Sequence, residues 1–155
     1  MFEAILVPLD GSDHSQHALE VAVQIAKKFR ARMTLIHVYS VTVTPVVLPE
    51  PTTLTPSSIP VVTPAEVAKM VEAARGVGNR ILSDGEAKAK SEGVKVDTLL
   101  KEGNTVQEIV KAAKEGQYNL IVMGVRGISM LRELLVGSVS EGVIKHSSCP
   151  VLVVK

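Results

Sequence analysis

The feature that most limits what this chain can fold into is an alternation. Short, wholly apolar runs take turns with longer segments whose apolar residues recur every three or four positions. Ala4-Ile5-Leu6-Val7 is apolar without interruption and is stopped by Pro8 and Gly11, the pattern of a strand buried on both faces. Ser12 or Asp13 can then cap a helix that carries Ala18, Ala22, Ile25 and Phe29 on one face. MTLIHV at 33–38 predicts a second strand. Thr63-Pro64-Ala65-Glu66 combines a capping threonine, a proline at the first helical position and a glutamate at the third, which is a capping box. The helix that follows has Val67, Met70, Val71, Ala74 and Val77 on one face, and Gly76 and Gly78 weaken its middle by about 1 kcal/mol each relative to alanine, enough to admit a bend. VKVDTLL at 94–100 alternates apolar and polar residues in its first half, as an edge strand does. Asn104 and Gln107 open a helix containing Val106, Ile109, Val110 and Ala113, closed by Gly116. LIVM at 120–123 predicts a fourth strand, 137–144 a last helix, and VLVV at 151–154 a fifth strand. Strand and helix in repetition predict an α/β fold, an open and mostly parallel sheet with helices on both faces.

Composition agrees with that architecture and removes several classes of function. Hydrophobic residues make up 46% of the chain and aromatics only 3%, so the core must be aliphatic, which suits a parallel sheet covered by helices. A chain of 155 residues has the commonest size of one domain, and one domain over 1–155 is the expectation. Lys and Arg number 17 against 16 Asp and Glu, with no basic run to follow a phosphate backbone, so nucleic acid is not expected as a partner. The opening MFEAILVPLD carries a glutamate where a signal peptide carries lysine or arginine, and its apolar run ends at Pro8. No apolar stretch approaches the roughly eighteen residues of a membrane helix, so no membrane partner is expected. A soluble, cytoplasmic protein follows, and the single cysteine, Cys149, fits a reducing compartment.

One segment breaks the rhythm. Residues 39–64 hold six of the eight prolines, many threonines and valines, and no usable period. This Pro/Thr-rich insertion reads as a long connection, and loops of that length are either functional or disordered. A surface insertion, a lid over a ligand and an arm for a partner remain open at this stage.

The chemistry concentrates near the carboxyl end. In MGVRGISMLRELLVGSVS, Gly124 and Gly127 lie just beyond the fourth strand, and Gly137 and Ser138 lie at the start of the last helix. In open α/β sheets ligands sit outside the carboxyl ends of the strands, where the strand order reverses. Glycine there lets backbone N–H groups approach an anion, and a helix N-terminus adds unpaired donors and a favourable dipole. Ser138 adds a hydroxyl. Two separated glycine sites suit a chain of phosphates; ordinary turn and cap duty is the alternative reading of the same glycines.

The spacing G-x2-G-x9-G-S, standing as Gly124, Gly127, Gly137 and Ser138, resembles the nucleotide-binding signature of the universal stress protein family, in its ATP-binding branch. ILVPLDGSDHS, LIHV, NLIVMG and GSVSEGVIKHSSCPVLVV also resemble that family in the order in which it uses them, so the likeness covers the whole chain. The resemblance implies five strands in the order 3-2-1-4-5, with Pro8, Leu9 and Asp10 beside Gly124. It implies that Asp10 and Val38 line the adenosine end of bound ATP, that Met123, Gly124 and Gly127 support the ribose and first phosphates, and that Gly137, Ser138, Val139 and Ser140 hold the phosphate tail, with Mg2+ or Mn2+ bound through the phosphates. Asp10 is an acceptor suited to a ribose hydroxyl or an adenine amino group, and it can also cap the first helix. Val125 and Arg126 depart from the small polar residue frequent in the family at that place; Arg126 has the charge to meet a phosphate or to remain solvated.

No catalytic set accompanies these residues. Phosphoryl transfer needs acids that hold metal and a group that positions the attacking oxygen. Beyond Asp10, only Glu133 and Glu141 lie in or beside the glycine segments, and helical periodicity puts both on solvated faces. Neither G-x4-G-K-[ST] nor G-x-G-x2-G after a strand occurs. His14 and His17 read as solvated helix residues, His37 as a satisfied core histidine, His146 as a partner of a helix C-terminus and Cys149 as a lone buried thiol. The leading expectation is an ATP-binding regulatory protein of the stress response. A weak ATPase or nucleotide-dependent transferase, and a nucleotide-free interaction module, are the alternatives. The apolar last strand, Val151, Leu152, Val153 and Val154, would lie at the sheet edge, and pairing it with its own copy in a homodimer would cover it.

Overall fold

The computed structural model describes residues 1–43, 62–125 and 136–155. The chain runs β1 (Ala4–Pro8), α1 (Asp13–Phe29), β2 (Arg32–Tyr39), α2 (Pro64–Ser91), β3 (Val96–Glu102), α3 (Thr105–Glu115), β4 (Leu120–Gly124), α4 (Ser138–His146) and β5 (Val151–Val154). The strands form one parallel sheet in the order β3-β2-β1-β4-β5. Strand order therefore reverses between β1 and β4, which pair at Ile5–Leu120 and Leu6–Ile121.

The continuous apolar runs of β1 and β4 are explained by burial on both sides. Ile5, Val7, Leu120 and Val122 pack with Leu19, Val23 and Leu82 in one cluster, whereas Leu6, Ile121 and Met123 pack with Ile109, Ala113 and Val143 in the other. α1 and α2 thus cover one face and α3 and α4 the other, as alternation of side chains along a strand requires. The buried stripe of α1 is Ala18, Leu19, Ala22, Val23 and Ala26. Ile25 lies at its margin, and Phe29 is 40% exposed, resting edge-on against Phe2.

Three local expectations shift. β3 begins at Val96 and not at 94, because Val94 turns inward after α2, donating its N–H to Ala89 O and filling the first cluster. α2 runs unbroken through Gly76 and Gly78, and its buried positions are Gly78, Leu82, Gly85 and Ala89. Met70 and Val77, expected on the buried face, are 47% and 55% exposed. The physical reason is close approach of the second half: a β-carbon on Gly78 would lie 2.6 Å from both His37 Cδ2 and Leu100 Cδ1, and one on Gly85 2.7 Å from Leu9 Cδ1. α4 is longer than expected at its far end, and Gly137 is its cap. The Pro/Thr-rich insertion lies largely outside the described residues, which resume at Val62. At Thr63 the capping box is present with both reciprocal bonds, and the proline stands at the first helical turn.

Candidate functional site

The carboxyl ends of β1 and β4 meet where the strand order reverses. On the β1 side, Leu9 is buried and held at both main-chain groups: its N–H donates to Ile36 O at 2.9 Å and its carbonyl accepts from His37 Nδ1 at 2.7 Å. Asp10, half-buried, turns Oδ1 onto the N–H of Ser12 (3.0 Å) and the hydroxyl of Ser12 (2.5 Å). That turn passes through Gly11 at φ +83°, a left-handed conformation natural to glycine. Ser12, and not Asp10, is the N-cap of α1, its Oγ accepting from Ser15 N at 3.2 Å. Among the described residues no donor reaches Asp10 Oδ2, so one carboxylate oxygen remains open to a ligand.

On the β4 side, Met123 and Gly124 are buried and Val125 is half-buried. A β-carbon on Gly124 would lie 2.7 Å from the His14 carbonyl carbon and 2.8 Å from its oxygen. The glycine is required here by the first turn of α1, which lies directly on β4. Val125 donates its N–H to Val154 O at 2.7 Å, and its own carbonyl accepts from Gly137 N at 2.8 Å. α4 therefore starts beside the end of β4.

Gly137 caps α4 without a side-chain bond, and the first amide satisfied within the helix is that of Glu141, on Gly137 O at 2.9 Å. The N–H groups of Ser138, Val139 and Ser140 precede it, and a helix leaves such groups without internal partners. Together with the dipole of the helix they form a donor set suited to a phosphate. Ser138 is exposed and Val139 half-buried. Ser140 is only 2% exposed, and its hydroxyl donates to Gly124 O (3.1 Å) and Val125 O (2.9 Å), so that side chain ties α4 to β4. Glu141 in the first turn is exposed and ion-paired with Lys145 at 2.6 Å; the hydrogen bond and charge of Lys145 hold its carboxyl below the usual glutamate value.

The site expected from sequence is thus partly assembled. Pro8, Leu9 and Asp10 stand at the end of β1, Val38 half-buried near the end of β2 against the α3–α4 cluster, and Met123, Gly124 and Val125 at the end of β4, facing Gly137, Ser138, Val139 and Ser140. Arg126, Gly127 and Glu133 lie outside the described residues. Among the described residues no group of three or more His, Cys, Asp or Glu side chains could hold a metal ion. Asp10 commits one oxygen to Ser12, so a cation here would depend on ligand oxygens and water.

His17, His146 and the thiol have partners. His17 Nδ1 lies 2.9 Å from Lys155 O, His146 Nδ1 donates to Gly142 O at 2.8 Å, and Cys149 is a half-buried free thiol beside Ser147 Oγ. Sequence reasoning left two contributors out of the site. Ser12 is the acceptor-and-donor link between Asp10 and α1, signalled only by its place before the helix. His37 was read as a core residue, and nothing in its strand marks the carbonyl it holds.

Fold and site define an open, doubly wound α/β protein whose strand order switches between β1 and β4, where Gly124 ends β4 beside the start of α4, capped by Gly137 without a side-chain bond. The sequence model of the Universal stress protein family matches residues 1–155. The chain belongs to that family. It is 37% identical over 155 residues to universal stress protein YxiE of Bacillus subtilis, covering all of both chains. In fold it is similar to the universal stress protein UspA from Lactobacillus plantarum, with a TM-score of 0.79, 24% identity and coverage of 99% and 98% of the two chains. A universal stress protein solved in complex with cAMP matches with a TM-score of 0.69 and 27% identity, covering 99% of this chain and 97% of that one. No described helix is long and apolar enough to cross a membrane.

Proposed function

We propose that this chain binds ATP in the cleft between β1 and β4 and acts as a nucleotide-dependent regulatory switch of the stress response in the cytoplasm, with at most slow hydrolysis. The observation that carries this reading is the start of α4. Gly137 brings the amides of Ser138, Val139 and Ser140, which have no partner among the described residues, beside the end of β4, where they can serve as an anion cradle. Asp10, with one oxygen open, suits a ribose hydroxyl or an adenine amino group at the other end of the cleft. In this reading Gly127, with Met123 and Gly124, supports the ribose and first phosphates, and Arg126 offers charge to a phosphate.

Support comes also from the relative solved with cAMP, whose ligand shares the adenosine and a phosphate. Mg2+ or Mn2+ enters on the phosphates and supplies charge neutralisation there, because the described residues offer no donor set of their own. The whole chain serves as a single nucleotide-binding unit. It works as a homodimer in which Val151, Leu152, Val153 and Val154 pair with the same strand of a second copy. β5 is an edge of the sheet, with Leu152 37% exposed.

The test is to denature the freshly purified protein, identify released nucleotide by chromatography, and repeat with Gly137→Val, whose branched side chain would stand in the cradle. ATP or ADP released from the parent and not from the variant supports the reading. No release from either, with no rise in Tm on adding ATP and Mg2+, would refute it.

A further inference from the structure

We propose that His37 is a positioning residue for this site: its imidazole, seated in the space that Gly78 leaves, holds the Leu9 carbonyl and so fixes Asp10 for the adenosine end of the ligand. The inference rests on the nucleotide reading above and adds a residue that touches no nucleotide itself.

The geometry is restrictive at each link. A carbonyl oxygen only accepts, so the 2.7 Å separation between His37 Nδ1 and Leu9 O requires a hydrogen on Nδ1. The ring is kept in that orientation by α2. A β-carbon on Gly78 would meet His37 Cδ2 at 2.6 Å and Nε2 at 3.3 Å, so the helix backbone lies directly over the imidazole. Across the sheet His37 is in register with Leu100, whose Cδ1 crowds the same glycine. Leu9 is thereby fixed in three ways: its side chain against Gly85, its N–H on Ile36 O and its carbonyl under His37. Asp10 is the next residue, and its Oδ1 is turned onto Ser12. With the preceding peptide immobile and one carboxylate oxygen engaged, Oδ2 is left pointing in a single direction. Pre-orientation of that kind lowers the ordering cost of binding.

Removing the Nδ1 donor while keeping an aromatic ring at this position frees the Leu9–Asp10 peptide. Asparagine restores a donor at the Nδ1 position, and phenylalanine does not. ATP affinity is measured by calorimetry for the parent, His37→Phe and His37→Asn, all as full-length protein. The Phe variant is expected to raise the Kd for ATP about tenfold and the Asn variant to stay within about twofold of the parent. Equal affinity of parent and Phe variant overturns the proposal, as does an Asn variant as weak as Phe, which would mark only general damage. A parent that binds no ATP removes the nucleotide reading itself, and that arm alone separates the two failures. Should the Phe variant not fold, 15N spectra of the parent imidazole decide: an Nδ1–H tautomer of His37 supports the clamp and an Nε2–H tautomer overturns it.

Discussion

Replacing Gly124 with alanine should separate α1 from β4, and the size of the effect can be read from the contacts. The added β-carbon would sit 2.7 Å from the carbonyl carbon of His14 and 2.8 Å from its Cβ and oxygen. Ordinary contact begins near 3.4 Å, so something must move by about 0.7 Å. Side chains can swing aside, but here most of what is struck is main chain, in the first turn of a helix that is buried along Ser15, Ala18, Leu19 and Ala22. Overpacking of this sort costs about 1–3 kcal/mol, and at roughly 2–4 °C per kcal/mol for a chain of this size the expected fall in Tm is about 2–12 °C. Thermal unfolding followed by circular dichroism measures it. ATP affinity should fall as well, since the displaced turn carries Ser12 and, through it, Asp10. A sharper check is the double variant with His14→Ala. It should not recover stability, because the struck atoms are main chain and a Cβ that alanine retains. An unchanged Tm for Gly124→Ala, or full rescue by His14→Ala, would show that α1 does not rest on β4 in this way.

Ser140→Ala should cost about 1 kcal/mol, seen as a small fall in the urea midpoint: a buried hydroxyl bond is lost, but Val125 O keeps its bond from Gly137 N, so that acceptor is not orphaned. The Thr63 backbone N–H, then its hydroxyl, hold the Glu66 carboxyl below the usual glutamate value; with the folded value depressed, this cap stabilises above the unfolded value and is lost as pH falls through the folded one. The protection factors of amides in the first turn of α2, taken against the intrinsic exchange rate at each pH, should therefore fall on acidification from about pH 6 to about pH 3 in the parent, and change less in Glu66→Gln. With β5 pairing as proposed, Leu152→Asp should scatter light as a smaller species than the parent at the same concentration, because a charge on an edge strand opposes self-pairing. Saturating ATP should tighten dimerisation, and dimerisation should tighten ATP binding by the same factor, when both constants are measured by analytical ultracentrifugation and calorimetry.

Much of this architecture was legible because its signals are local. The run Ala4-Ile5-Leu6-Val7 can only be a strand covered on both faces, and Thr63 with Glu66 specifies a helix start through bonds made within one turn. Asn104 opens α3 by the same means, accepting from Gln107 N at 3.1 Å. What the sequence hid depends on contacts between distant segments. Periodicity placed Met70 and Val77 on a buried stripe, but α2 approaches the sheet where Gly78 and Gly85 allow it. Apolarity alone does not say that a helix has reached the sheet. Ser140 read as a phosphate ligand from its place in a motif; that its hydroxyl turns back onto β4 is set by residues fifteen and sixteen positions earlier. At Gly116 the chain does close α3, yet the left-handed step falls on Gln117, at φ 52°, because Gly116 itself stays at φ −82°.

The site and the sheet edge share one residue, Val125, and this makes a switch physically reasonable. Val125 gives its N–H to Val154, the last residue of β5, and takes at its carbonyl the N–H of Gly137, the cap of α4. Ser140 adds a second tie from α4 to the same carbonyl. A phosphate drawn onto the free amides of α4 pulls on the cap, and the cap is bonded to the residue that orders the end of β5. Displacement at the anion cradle therefore reaches the edge strand through two hydrogen bonds on one residue. The stiffness of the path comes from its burial: Gly124 and Ser140 are buried and Val143 is fully enclosed, so α4 moves against β4 as a body. A ligand that bound two arrangements of that body with different affinity would shift the balance between them, and a ligand indifferent to them cannot.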